Sequence, residues 1–310
     1  MKSKVLIFGS NGLVGSSVTN LFNTKYSEKY EIIPSTRKDT DLFSLDSTKN
    51  KIEKTKPDYV INAAAKVGGI YANNTKRTQF ILENLKINMN ILESLIKLPE
   101  VKLINLGSSC IYPLEAPNPI TEESLMTGKL EPTNSPYAMA KLTAIELGDS
   151  ISKQYGHTVV NLMPTNLYGP RDNFSPKDSH VIPGLIYRMS KAKKDNDIQF
   201  KVWGTGKPKR EFLHANDLAE AIEFIISKDI KETLINIGSG SEVTVLVLSN
   251  LIKKIINYEG DIEFDPNMPD GNDQKLLDSS KLMNMGWKPK INLEDGLKTT
   301  YEWFQKNIKI

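Results

Sequence analysis

Gly9-Ser10-Asn11-Gly12-Leu13-Val14-Gly15 is the stretch on which the reading of this chain turns. Before it, Val5 to Phe8 continues an apolar run from Lys4, the pattern of a strand buried on both faces. After it, Gly12 to Phe22 carries apolar residues at helical spacing. Glycines spaced three apart between a strand and a helix let the backbone turn sharply and approach a pyrophosphate. The helix then presents free N–H groups and the positive end of its dipole. A glycine-rich turn without a ligand is the alternative, and the strand-turn-helix setting favours a dinucleotide cradle. Gly9, Ser10, Asn11, Gly12, Leu13, Val14 and Gly15 are the first candidate binding residues.

Outward from this turn, short apolar runs alternate with helical patterns. Tyr30 to Ile33, Tyr59 to Ile61, Lys102 to Leu106 and Val159 to Leu162 read as further strands. Asn84 to Leu98 and Tyr137 to Gln154 read as helices that cross back over a parallel sheet. The fold class is α/β: a Rossmann-type doubly wound parallel sheet with a smaller α/β substrate-binding lobe. From Gly169 onward Gly169-Pro170, Ser175-Pro176 and Ile182-Pro183 break the alternation. A helix at Asn216 to Ile226 and a strand at Leu234 to Ile237 suit a return to the sheet. Val245 to Tyr258 and Leu293 to Lys306 suit helices of the smaller lobe. Residues 1–170 plus about 212–240 are expected to form the cofactor domain, and about 171–211 plus 241–310 the substrate domain.

Composition narrows the classes of function. The 310 residues suffice for a buried core, and 39% hydrophobic with 25% charged residues is ordinary for a folded enzyme. The net charge of +3 comes from 40 basic and 37 acidic residues scattered along the chain, without the basic stripe that nucleic acid demands. No apolar run is long enough for a bilayer, so no membrane partner and a cytoplasmic location are expected. Cys110 is the single cysteine, which excludes an intrachain disulfide and a zinc site of paired thiolates. No metal is expected.

After the second strand a bare ribose is ordinarily met by an acidic residue. This chain has Pro34-Ser35-Thr36-Arg37-Lys38 there. Hydroxyls and the Arg37 guanidinium suit a 2′-phosphate, because the planar fork matches phosphate oxygens. NADP(H) is therefore favoured over NAD, with a solvated basic turn as the alternative. Asp46 is a secondary candidate for the adenine. Tyr137-Ala138-Met139-Ala140-Lys141 sets Tyr and Lys four apart, on one helix face. A neighbouring ammonium favours phenolate, which is expected to bring the Tyr137 hydroxyl towards the range useful for proton transfer. Ser108, just past the fourth strand, stands where such a sheet places groups that touch the ligand.

Glycine turn, strand-end serine and YxxxK in this order resemble the extended short-chain dehydrogenase/reductase superfamily. Within it, six further blocks resemble the GDP-L-fucose synthase family. They are Ala63-Ala64-Ala65-Lys66-Val67-Gly68-Gly69-Ile70, Gly107-Ser108-Ser109-Cys110-Ile111-Tyr112-Pro113, Glu131-Pro132-Thr133-Asn134, Met163-Pro164-Thr165-Asn166-Leu167-Tyr168-Gly169-Pro170, Ser179-His180-Val181-Ile182-Pro183 and Trp203-Gly204-Thr205-Gly206. The resemblance runs from the first strand to the final helix. It implies conversion of GDP-4-keto-6-deoxy-D-mannose to GDP-L-fucose, by inversion of C3 and C5 and NADPH-dependent reduction of C4.

It also implies roles for individual residues. Tyr137, Lys141 and Ser108 would handle the C4 oxygen, with Cys110 as base and His180 as acid for the inversions. Ala64, Leu106, Gly107, Ser108, Tyr137, Lys141, Pro164, Thr165, Asn166, Leu167 and His180 would line the cofactor. Ser109, Asn166, Arg188, Trp203, Arg210 and Asp278 would contact the substrate, with ordinary surface or packing roles as their alternatives. Asn11 stands where several relatives carry a basic residue, which leaves more of the cofactor preference to Arg37. Relatives making GDP-L-colitose or a GDP-6-deoxy-heptose use the same machinery, and a non-catalytic NADP-binding protein is the reading from another class. A dehydratase is disfavoured, because Ser109-Cys110 stands where those enzymes place an acidic pair. A homodimer is expected by resemblance.

Overall fold

Strand β1 (Ser3–Phe8) shows why this chain builds a sheet covered on both faces. In the computed structural model, which describes residues 1–268 and 270–310, Val5 and Ile7 enter one core cluster while Leu6 and Phe8 enter another. The sheet continues with β2 (Tyr30–Ser35), β3 (Tyr59–Asn62), β4 (Lys102–Leu106) and β5 (Val159–Pro164). Their crossovers are α1 (Leu13–Lys25), α2 (Leu45–Thr55), the short α3 (Ile70–Thr75) with α4 (Arg77–Leu95), and α5 (Ser135–Tyr155). Val18 and Phe22 of α1 pack on the Val5 face, and Ile87, Ile91 and Leu95 of α4 on the Leu6 face. Alternate strand residues thus meet helices on opposite sides.

The remaining elements are β6 (Asn166–Tyr168), α6 (Val181–Asp195), β7 (Gln199–Trp203), β8 (Lys209–His214), α7 (Ala215–Ser227), β9 (Leu234–Ile237), β10 (Glu242–Thr244), α8 (Val245–Ile256), β11 (Asp261–Asp265), α9 (Ser280–Asn284) and α10 (Leu293–Asn307). The six-stranded sheet runs β2-β1-β3-β4-β5-β9 with every pairing parallel. From β1 the chain goes first to one edge, then returns through β3 and builds the other way. The reversal leaves a crevice at the carboxyl ends of β1 and β3, where such sheets bind ligands. Pro34 is tolerated inside β2 because that strand is an edge.

A three-stranded sheet β10-β8-β6 and a parallel pair β11-β7 stand apart from the six-stranded sheet. A further core cluster joins Ile182, Leu185, Ile186 and Met189 of α6 to Leu248, Ile252 and Ile256 of α8 and Phe304 of α10. Pro183, read from sequence as a break, lies instead in the first turn of α6. There the missing N–H has no intrahelical partner to lose. Among the described residues no helix is long and apolar enough to cross a membrane, and no cluster of metal-ligating side chains occurs.

Candidate active site

Two positions of the turn after β1 accept only glycine. Gly9 has a φ of +74°, and a Cβ there would lie 2.7 Å from the Ala63 carbonyl oxygen beyond β3. A Cβ at Gly15 would lie 2.1 Å from the Gly9 carbonyl oxygen, so α1 is pressed against the turn. Gly12 differs, since a Cβ there would touch only the Gly9 oxygen at 3.5 Å and otherwise face open space. As the N-cap of α1 it places no side chain over the first-turn N–H groups. The Ser10 and Gly12 N–H groups already donate to the Ser35 and Gly9 carbonyls at 3.2 and 3.1 Å, so the exposed Asn11 and the first-turn N–H groups of α1 are the donors that fit a diphosphate.

At the end of β2 the Ser35 hydroxyl is buried against Thr40 at 2.8 Å. Asp39 is drawn back onto Thr36, accepting from its N–H at 2.8 Å and its hydroxyl at 2.7 Å, and these bonds hold its carboxyl below the usual range. Arg37 is left exposed with its guanidinium 5.0 Å from the Phe43 ring, and the Lys86 ammonium of α4 lies 5.9 Å from the same ring. Two cations on one ring, with the loop carboxylate tied to its own backbone, suit a phosphorylated ribose. Asp46 stands exposed in the first turn of α2, where it complements the helix dipole.

Tyr137 and Lys141 lie one turn apart on the buried face of α5. The Lys141 ammonium donates to the Leu106 carbonyl oxygen at 2.6 Å, sits 5.8 Å from the Tyr137 ring centroid, and is lowered by burial to about 8. Ser108 accepts from the Cys110 N–H at 3.2 Å, capping a short 3-10 turn over Ser109–Ile111. That turn delivers Cys110 to a cluster with Tyr137, Phe80 and Ala72. Gly107 allows this strand end to close, since a Cβ there would lie 2.1 Å from Met163 Cε.

The expected pull of Lys141 on the phenol is corrected by this geometry. Burial raises the Tyr137 hydroxyl well above its ordinary range, neighbouring Cys110 adds to the rise, and the Ser108 hydroxyl acts in the opposite sense. The Lys141 charge is desolvated and fixed on a carbonyl, so burial wins. Tyr137 is therefore a protonated phenol at neutral pH, the form that donates to a carbonyl oxygen.

His180 precedes α6 as its N-cap, without a side-chain cap bond. His180 is exposed, and desolvation by the protein around it holds its imidazole below its ordinary range. The loop after β3 ties this segment to the sheet. The Gly69 N–H donates to the Asp178 carbonyl at 2.9 Å, and a Cβ at Gly69 would lie 2.3 Å from the Ser179 carbonyl oxygen. Lys76 pairs with Asp178 at 2.6 Å. A Cβ at Gly68 would lie 3.3 Å from the Phe80 ring, which meets Tyr137 edge-on with centroids 6.3 Å apart. One run of contacts thus joins Tyr137, Phe80, the glycine pair and the backbone just before His180.

The elements beyond the central sheet present flat and cationic groups. The Arg188 guanidinium lies 5.4 Å from both the Phe200 and Trp203 rings, and Trp203 is about half exposed. Arg210 donates to the Asp270 carbonyl at 3.0 Å, and Ile70 of α3 lies across Gly271 from it. Burial lowers both guanidinium groups from their ordinary range. Asp278 accepts from the Ser280 N–H at 2.8 Å at the start of α9, and hydrogen bonding by the Ser280 hydroxyl and then its N–H holds the carboxyl below the usual range. Asn166 and Thr165 donate to the Glu211 carbonyl at 2.9 and 3.2 Å, tying β6 to β8, while buried Pro164 ends β5 and Leu167 packs into the sheet core. Ala64 donates its N–H to Asn62 at 3.2 Å.

Sequence reasoning missed Lys86, the Gly69 contact with Ser179, and Asn134, whose side-chain amide donates to Cys110 Sγ at 3.7 Å. Gly68-Gly69 and Asn134 stood inside quoted blocks. Nothing in the sequence showed what they touch.

Comparison with known proteins gives a consistent neighbourhood. Residues 5–238 match the NAD dependent epimerase/dehydratase family. The chain is 45% identical over 307 residues to a probable GDP-L-fucose synthase 1 of Oryza sativa subsp. japonica, covering 98% of this chain and 93% of the relative. It is 41% identical to the GDP-L-fucose synthase of Escherichia coli (strain K12), covering 99% and 98%. A crystal structure of a GDP-L-fucose synthetase from Naegleria fowleri bound to NADP superimposes with a TM-score of 0.90 at 29% identity, covering 99% of this chain and 95% of that one.

Proposed function

The chain belongs to the NAD dependent epimerase/dehydratase family, and from that premise we propose that it carries out the GDP-L-fucose synthase reaction. It takes GDP-4-keto-6-deoxy-D-mannose, inverts C3 and C5, and reduces C4 with NADPH. The observation that carries this reading is a thiol, Cys110, packed against the phenol of Tyr137 beside a strand-end serine. A plain reductase needs the phenol and not the thiol.

Both inversions and the reduction work through one ketone. Protons on C3 and C5 are alpha to the C4 carbonyl, so Cys110 can remove each in turn while the charge moves to O4. Tyr137 and Ser108 hydrogen-bond that oxygen. His180 returns a proton from the opposite face. A bound NADPH would supply hydride chemistry at C4, where Tyr137 gives its proton to O4 as the alcohol forms. The glycine turn would hold the diphosphate, Arg37 and Lys86 the 2′-phosphate, and Lys141 the nicotinamide ribose. Residues 1–170 plus about 212–240 serve the cofactor in this reading, and about 171–211 plus 241–310 the GDP-sugar. Arg210, Arg188 and the exposed Trp203 are its anchors for diphosphate and flat groups. The enzyme works as a cytoplasmic homodimer.

Mixing the protein with NADPH and GDP-4-keto-6-deoxy-D-mannose tests this. Reduced-nicotinamide absorbance is expected to fall, and NMR of the product to show inversion at C3 and C5. A product reduced at C4 but never inverted would refute the assignment. Cys110→Ser is expected to stop uptake of solvent deuterium at C3 and C5 while some C4 reduction persists.

A further inference from the structure

The segment that carries Asn134 is held from several sides. The Glu131 carboxylate accepts from the Thr133 N–H at 3.1 Å, the Thr133 hydroxyl at 2.6 Å and the Asn134 N–H at 3.0 Å. Arg77 donates to the Pro132 carbonyl at 2.8 Å and to the Ser135 hydroxyl at 3.2 Å. Asn134 is the N-cap of α5, where an asparagine ordinarily turns its oxygen onto a first-turn N–H. It makes no such bond. Instead its Nδ2 donates to Cys110 Sγ at 3.7 Å, and its Oδ1 is buried without a hydrogen-bond partner among the described residues. A buried amide that neither caps its helix nor satisfies its oxygen works against folding, so the contact with sulfur calls for another explanation.

We infer that Asn134 is a positioning residue for Cys110, its amide aiming the sulfur and favouring the thiolate that accepts a proton from the sugar. The inference rests on the reading of Cys110 as the base. In that step the thiolate takes hydrogen from the carbon alpha to the ketone, the C–H electron pair enters the enolate, and the negative charge passes from sulfur to O4. Before the step an N–H donor faces an anionic sulfur. After it, the same amide turned over offers Oδ1 to the new S–H, which gives the orphaned oxygen a role. One side chain serves both protonation states.

Cys110 is the only cysteine, so alkylation by iodoacetamide reports on it alone. Rates would be measured on the whole enzyme at about pH 7 and about pH 10, the latter favouring thiolate in every variant. Asn134→Ala is expected to lower the ratio of the two rates about fivefold, the factor one ordinary hydrogen bond sets. Asn134→Asp, which keeps the shape and brings an anion, should lower it further and gives the reading if the alanine variant does not fold. Uptake of solvent deuterium at C3 and C5 should slow in parallel, with hydride transfer to C4 kept within about twofold. An altered pocket shape changes reagent access at both pH values alike and leaves the ratio unmoved. An unchanged ratio in both variants overturns the inference. Absence of deuterium uptake in the unsubstituted enzyme instead overturns Cys110 as base, a separate failure, because alkylation needs no substrate.

Discussion

Lys141 shows a single residue working against the stability of its own fold. Its ammonium is lowered by burial to about 8 from the ordinary 10.5. Between those values the unfolded chain binds the proton more tightly, so stability rises as pH climbs from 8 to 10.5 and is lowest below 8. Lys141→Met is expected to be more stable at neutral pH by about 1–3 kcal/mol in urea unfolding, after loss of the bond to Leu106. The rise with pH should vanish, and NADPH-dependent reduction should fall at least about a hundredfold. A less stable methionine variant would show that the ammonium's bond to Leu106 outweighs burial. Gly69 offers the opposite case, a residue with no chemistry of its own. A Cβ there meets the Ser179 carbonyl at 2.3 Å, one residue before His180. With His180 as the proposed proton carrier, Gly69→Ala is expected to slow deuterium uptake by about tenfold or more, since small displacements of such a group are costly. NADPH affinity measured by fluorescence should hold, and a variant inverting at full rate would remove the glycine from any part in placing the imidazole.

At the scale of elements, the central sheet is stitched by amides as well as by its backbone. Asn62, Asn105 and Asn161 stand at matched register on β3, β4 and β5, each fully buried. Asn62 donates to Asn105 at 2.9 Å and to Asn88 of α4 at 3.1 Å, Asn105 donates to Asn161 at 3.0 Å, and Asn161 reaches the Thr233 carbonyl at 3.1 Å. Asn105→Leu keeps the branching and heavy-atom count, at a larger volume, and strands an amide group on each side. A loss of about 2–4 kcal/mol in urea is expected, and unchanged stability would mean the neighbours re-pair. These positions were legible only as polar breaks in apolar runs. The strands themselves were read well, because both their faces are covered and the runs are continuous. Helix α2 escaped notice because Thr48 and Ile52 are its only buried residues, too sparse a stripe to stand out. Helix α4 begins at Arg77, a turn and more before the apolar pattern announces it, since of its first residues only Phe80 is buried.

For the whole molecule, the outer face of α4 and α5 leaves Leu82, Met89 and Met139 exposed at 50%, 45% and 46%. In the proposed homodimer this is the face that a second copy would cover. Met89→Glu together with Met139→Glu is expected to shift sedimentation velocity from dimer to monomer, and a dimer unaffected by both charges would place the interface elsewhere. By itself the sequence determined what depends on neighbours along the chain. This covers the cradle after β1, the parallel strands, the one-turn spacing of Tyr137 and Lys141, and the identity of the blocks holding Cys110 and His180. Spacing and local sterics suffice for the first three, and the blocks were identified by their resemblance to the GDP-L-fucose synthase family. Only the tertiary structure decided which distant groups meet and what medium surrounds them. Burial, not the nearby ammonium, governs the Tyr137 phenol; α4 carries Lys86 to the ring beside Arg37; and backbone contact at Gly69 ties the His180 segment to the sheet. Desolvation and contact between segments a hundred residues apart are properties of packing in three dimensions, and no pattern along one dimension encodes them.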